Sequence, residues 1–197
     1  MHINYYLKNC FHLGWISSVK YQGACGSCVA FATQGAAEAT LIKAGADYGS
    51  VNLSEQWLLD CSKGNKQCMG TGTPRYGVFL RQQGGLMMHE NDYPYTKGEN
   101  EKKCPSGPYW SPGYKINDFF FITDNNHSNS PELNTDESMM MRIMEYGSIL
   151  MAVVAGKGFG SFKSGVYDIE NKQVLTVKSR VLARLVLKHM QAFSDGF

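Results

Sequence analysis

The segment Gln22-Gly23-Ala24-Cys25-Gly26-Ser27-Cys28 runs without a break into helix-forming and apolar residues from Val29 to Ile42, and this junction constrains the chain most. Apolar side chains recur around most of the circumference of that run. The pattern predicts one helix over Val29–Ala44, closed by Gly45 and buried at the centre of a domain. Cys28 then stands at the helix N-terminus. The unpaired backbone N–H groups there carry partial positive charge and favour a thiolate, the nucleophilic form of cysteine. Glu38 is the only acidic residue in the run, and it reads as an exposed or internally paired carboxylate.

With 197 residues the chain can bury a core as one domain or two small ones. The net charge is +2 with no long run of like charge, so no clustered basic face for nucleic acid is expected. No stretch approaches the roughly 20 apolar residues of a membrane span, and no membrane partner is expected. The first twenty residues contain His2, Asn4, Lys8, Asn9 and His12 and do not read as a secretory signal. The six cysteines nevertheless suggest an oxidising compartment. The sequons Asn52-Leu53-Ser54 and Asn126-His127-Ser128 suit a secreted chain, although motifs this short carry little weight.

Cys10, Cys25, Cys28, Cys61, Cys68 and Cys104 can pair in fifteen ways. Three chemistries compete for them. Cys28 can be a nucleophile. Cys25-Gly26-Ser27-Cys28 can be a redox Cys-x-x-Cys pair at a helix start. A zinc site would need a second closely spaced pair, and Cys61 and Cys68 stand too far apart, so no metal and no other cofactor is expected. A framework role for all six is the plain alternative.

The motif from Gln22 to Cys28 resembles the active-site segment of the papain-like (cathepsin-type) cysteine proteases. Further segments carry the same likeness, which runs from about Gly14 to Tyr167. Leu53-Ser54-Glu55-Gln56-Trp57-Leu58-Leu59-Asp60-Cys61 reads as a short helix with Ser54 as N-cap. Trp57 stands where the family tends to place a glutamate, and it reads as a packing residue. Cys68-Met69-Gly70-Thr71-Gly72-Thr73-Pro74 resembles the family's Cys-x-Gly-Gly turn with Thr71 inserted. Tyr93-Pro94-Tyr95 and Cys104 follow as in the family. Val29 departs from it, since an aromatic follows the nucleophile there.

The resemblance implies that Cys28 attacks the scissile carbonyl while the Gln22 side chain and the Cys28 N–H form the oxyanion hole. It implies that Gly70 and Gly72 admit an extended substrate backbone. It also implies disulfides Cys25–Cys68 and Cys61–Cys104, with Cys28 free and Cys10 an unpaired extra. The implied fold is α+β, a papain-like two-domain build with an incomplete second domain. Residues 1–105 form a helical domain, 106–167 a partial β-rich domain and 168–197 a divergent tail. Within this frame the sequence predicts a helix over Arg75–Gln82 ending at Gly84-Gly85 and a linker over Cys104–Gly113. It predicts strands at Asp118–Asp124 and Ser148–Ala155, the latter carrying a pocket-wall position at Ala152. A helix from Thr135 through Glu145 should bury Met140, Ile143 and Met144.

Papain-type catalysis also uses a histidine, oriented by an asparagine, about 130–150 residues beyond the cysteine. From Cys28 that window is about 158 to 178, and it holds no histidine. His2, His12, His89 and His127 read as surface residues. His189 lies in a basic amphipathic stretch, Val181–Met190, where the family has strands. The tail reads as foreign to the protease fold. The expectation is a cysteine endopeptidase, cleaving polypeptides through a Cys28 thioester but impaired by loss of the histidine. The alternatives are an inactive peptide-binding homologue or fragment and, last, a redox protein. By resemblance the chain is expected to be monomeric and secreted or lysosomal.

Overall fold

The computed structural model describes residues 16–62, 67–72, 74–96, 104, 114–117, 119 and 136–150. Among them, helix α1 spans Cys28–Lys43, α2 Glu55–Cys61, α3 Pro74–Gln82 and α4 Asp136–Tyr146, with a 3-10 turn at Gln67–Met69. The expected helix after the cysteine motif is therefore present. It starts at Cys28 itself and is closed by Gly45 at φ +102°. Ala30, Phe31, Thr33, Gln34, Ala37, Glu38, Ala39 and Ile42 are all buried, so α1 is covered on most sides and forms the axis on which the other helices pack.

Ser54 caps α2, its hydroxyl oxygen accepting from the Trp57 N–H at 3.0 Å. Trp57 is buried and packs against Phe79 of α3, with ring centroids 5.0 Å apart. The core continues through Leu53, Leu58, Leu80, Met87 and Ile116. Pro74 opens α3, where its missing N–H costs nothing, and Gly84 and Gly85 close it with positive φ. Gly85 is obligatory for a second reason: a Cβ there would lie 1.8 Å from the Ile116 carbonyl oxygen. That close approach joins two segments by the Leu86–Lys115 bridge, and an antiparallel bridge between Leu53 and His89 ties α2 to the turn after α3.

Helix α4 starts at Asp136, one residue after the expected cap. Ile143 is buried as expected, but Met144 is 58% exposed, which corrects the expectation that it fills the core. Adjacent helical residues point about 100° apart, so Ile143 is buried while Met144 faces outward. The contact of this segment with α1 is polar. Lys43 donates to the carbonyl oxygens of Met144 and Glu145, and the Ser148 hydroxyl donates to the Ala36 carbonyl at 2.7 Å. The expected linker, apart from Cys104, and the expected strand at Asp118–Asp124, apart from Phe119, lie outside the described residues, as do residues 151–155 of the second strand and the whole tail.

Two disulfides close the framework, Cys25–Cys68 and Cys61–Cys104, each spanning 43 residues. Chain-entropy arguments assign each such crosslink on the order of 3–4 kcal/mol through the unfolded state.

Candidate active site

Cys28 is the first residue of α1 and is half-buried; among the described residues it is the free cysteine. Cys25, three residues earlier, is bonded to Cys68. The Cys-x-x-Cys motif is thus divided between a crosslink and a thiol, and the redox expectation fails because Cys25 has no sulfur left to pair with Cys28.

The loop ahead of Cys28 is held by short backbone contacts. The Gly26 N–H donates to the Cys68 carbonyl at 2.8 Å, and the Ser27 N–H donates to the Cys25 carbonyl at 2.8 Å. A Cβ on Gly26 would sit 2.4 Å from the Cys68 oxygen and 3.1 Å from the Gly70 nitrogen. Glycine is required there for close approach rather than for its dihedral freedom. Gly70, at φ +86°, lies on the other side of this contact. Gly72 is placed differently: its carbonyl accepts from the Arg75 N–H at 3.2 Å and so belongs to the start of α3.

Gln22 is 6% exposed. Its side-chain Nε2 donates to the Cys25 carbonyl at 2.8 Å, leaving the second amide hydrogen. Its backbone carbonyl accepts from the Tyr95 hydroxyl at 2.7 Å. Tyr95 also meets the Ser27 hydroxyl at 2.6 Å, packs edge-on against Phe31 with centroids 4.8 Å apart, and is fixed at its own N–H by Glu90 at 2.8 Å. Ser27 is the N-cap of α1 by position, yet its hydroxyl caps no helix N–H. Among the described residues the Cys28 N–H has no hydrogen-bond partner. Sequence reading noted Tyr95 only as part of a matching tripeptide, because its contacts reach back 68 and 73 residues.

A buried charge cluster anchors the segment that leads to Gln22. The Lys20 ammonium donates to Glu38 Oε1 at 2.8 Å, Glu55 Oε1 at 2.7 Å and the Leu53 carbonyl at 2.9 Å. Glu38 also accepts from the Ser17 hydroxyl and from the Leu53 N–H at 2.7 Å. Glu38 is therefore internally paired and fully buried. The second Glu55 oxygen has no partner in its buried setting. Burial pushes the Glu55 carboxyl up to about 8 against the opposing pull of Lys20. For Lys20 burial acts downward, but the charges of Glu55 and Glu38 outweigh it and hold the ammonium above its ordinary value. One lysine thus faces two carboxylates.

His89 is tied into the backbone. Its Nε2 faces the Ser50 carbonyl at 2.9 Å, and its Nδ1 accepts from the Asn91 N–H at 3.2 Å. Both ring nitrogens are occupied by main chain, which suits a structural neutral tautomer. Among the described residues no group of three His, Cys, Asp or Glu side chains converges as a metal site, and no helix is long and apolar enough to cross a membrane.

The sequence profile of the papain family cysteine proteases matches residues 9–183. Cysteine proteinase COT44 of Brassica napus is 33% identical over 156 residues, covering 78% of this chain and 43% of that protein. Human cathepsin L2 is 32% identical over 157 residues, covering 78% of this chain and 42% of that protein. The solved structure of digestive procathepsin L2 proteinase from the larval midgut of Tenebrio molitor aligns with a TM-score of 0.61 at 28% identity. It covers 84% of this chain and 48% of the other. The chain spans less than half the length of these relatives.

Proposed function

The chain belongs to the papain family of cysteine proteases, and from that premise we propose that Cys28 is the nucleophile of a cysteine peptidase acting on extended polypeptides. The observation that carries this reading is the division of the sulfurs. Cys25 is committed to Cys68, and Cys28 remains free at the first residue of α1. The Cys28 sulfur adds to the carbonyl carbon of the scissile bond, and negative charge develops on the carbonyl oxygen. The unpartnered Cys28 N–H and the second Gln22 amide hydrogen supply the donors such an oxyanion needs. Collapse to the thioester expels the amine, which must receive a proton. Gly70, beside Gly26, is the position we assign to the substrate backbone, and Gly72 the outer edge of the same turn.

The proton donor is the weak point. The window of about 158 to 178 in which the family places its histidine holds none. Loss of a general acid–base lowers rate on the order of 10²–10⁴. We therefore propose an impaired peptidase, with a peptide-binding homologue that does not turn over as the second reading. The fold we propose is the two-domain α+β build, divided into 1–105, 106–167 and a tail at 168–197. The two disulfides support residence in a secreted or lysosomal compartment, and we assign a monomer.

Hydrolysis of an unstructured polypeptide by the wild type and by Cys28→Ser tests this. Slow cleavage that disappears in Cys28→Ser supports the peptidase. Peptide binding without cleavage in either protein supports the second reading, and cleavage that survives in Cys28→Ser contradicts the assignment of the nucleophile.

A further inference from the structure

We propose that Tyr95 is a positioning residue that holds both walls of the oxyanion site, an inference that rests on the nucleophile reading above. Its hydroxyl bridges the two ends of the loop from Gln22 to Ser27. It donates to the Gln22 carbonyl at 2.7 Å. A hydroxyl has one hydrogen, so the 2.6 Å contact with Ser27 must be made by the Ser27 hydroxyl donating to the Tyr95 oxygen. The Ser27 hydroxyl also faces the Cys25 carbonyl, but at the longer distance of 3.4 Å. The proton order is therefore Ser27 to Tyr95 to the Gln22 carbonyl.

This order has a consequence at the helix tip. A serine at the N-cap position normally turns its hydroxyl onto the N–H groups of the first turn. Here Tyr95 draws that hydroxyl away, and α1 begins with no side-chain cap. Ala30 and Phe31 instead donate to the Ser27 carbonyl, at 2.8 and 3.1 Å. The Cys28 N–H stands at N1, a position that an N-cap side chain does not take, and it has no partner among the described residues; Tyr95 bears on it by fixing Ser27, whose carbonyl shares the same peptide plane. At the other end, the bond from Tyr95 to the Gln22 main chain fixes the residue whose side-chain amide is the second donor. Tyr95 is itself braced by the edge-on contact with Phe31 and by Glu90 at its N–H. Burial keeps the phenol protonated well above neutral pH.

Two reactions at the same thiolate separate positioning from general support. In acylation by a peptide p-nitrophenyl ester, the Cys28 thiolate adds to the carbonyl carbon and the carbonyl electrons move onto oxygen. The adduct then breaks its bond to nitrophenolate, which departs as an anion and needs no proton donor. In alkylation by iodoacetamide, the thiolate displaces iodide from a saturated carbon and no charge develops on oxygen. Both rates depend alike on thiolate content and access, so their ratio reports the oxyanion site.

Tyr95→Phe keeps the ring on Phe31 and removes only the bridge. The expected result is acylation slowed about tenfold, below the full loss of one direct donor, with alkylation changed less than about twofold. Ser27→Ala removes one arm and should give a smaller shift of the same kind. Acylation and alkylation falling together, or neither changing, would overturn the inference. A wild type that is alkylated at Cys28 but not acylated removes the oxyanion site and this inference with it. A wild type in which Cys28 is not alkylated removes the nucleophile reading itself.

Discussion

Gly26 and Cys68 meet backbone to backbone, with the glycine N–H on the cysteine carbonyl at 2.8 Å and no room for a Cβ between them. The contact runs beside the Cys25–Cys68 disulfide, so the same two segments are joined covalently and by a hydrogen bond. Together they set where the chain enters α1 and hence where the Cys28 sulfur emerges.

Gly26→Ala should therefore act on both stability and reactivity. The added methyl meets main chain rather than a movable side chain, so the loop must shift. Overpacking of this kind costs about 1–3 kcal/mol, readable as a lowered midpoint in urea. Alkylation of Cys28 should change in the same variant. An unchanged midpoint with unchanged alkylation would show that the two segments are not in close contact.

Lys20→Met removes the cation that, among the described residues, faces fully buried Glu38. Breaking a buried pair on one side costs about 3–5 kcal/mol because the remaining charge is left without a counter-ion. Adding Glu38→Gln should recover part of the loss, so the double variant is less destabilised than the sum of the singles. Strict additivity in urea unfolding would contradict the pairing.

Glu55 makes the stability depend on pH with a definite sign. Its carboxyl is raised from 4.5 to about 8 in the folded chain by burial. Between those values the unfolded chain has released the proton that the folded chain retains. Stability is therefore full below about 4.5 and falls as pH rises toward 8. Glu90, also pushed up by burial, contributes with the same sign. The melting temperature should decline across this range, and Glu55→Gln should flatten the decline. A melting temperature that rises through the same window, with no effect of Glu55→Gln, would contradict it.

The local architecture was legible where one segment decides it. Val29–Ala44 and the Ser54 cap follow from periodicity and from capping chemistry, and both are present. Gly84 and Gly85 end α3 as turn chemistry requires. What escaped was set by distant partners. The Ser27 hydroxyl is met by Tyr95, 68 residues further along the chain. Met144 looks like core, but it is exposed while its neighbour Ile143 is buried. The Glu55 proton could not be read from a local pattern, because it depends on Lys20, Glu38 and burial together.

The central claim is that Cys28 is a free, reactive nucleophile beside a crosslinked Cys25. Treatment with an epoxide-type cysteine protease inhibitor, followed by digestion without reduction and mass mapping, tests it most directly. The account predicts the label on Cys28, with Cys25–Cys68 and Cys61–Cys104 recovered as linked peptides. An unlabelled Cys28, or a Cys25–Cys28 linked peptide, would contradict it.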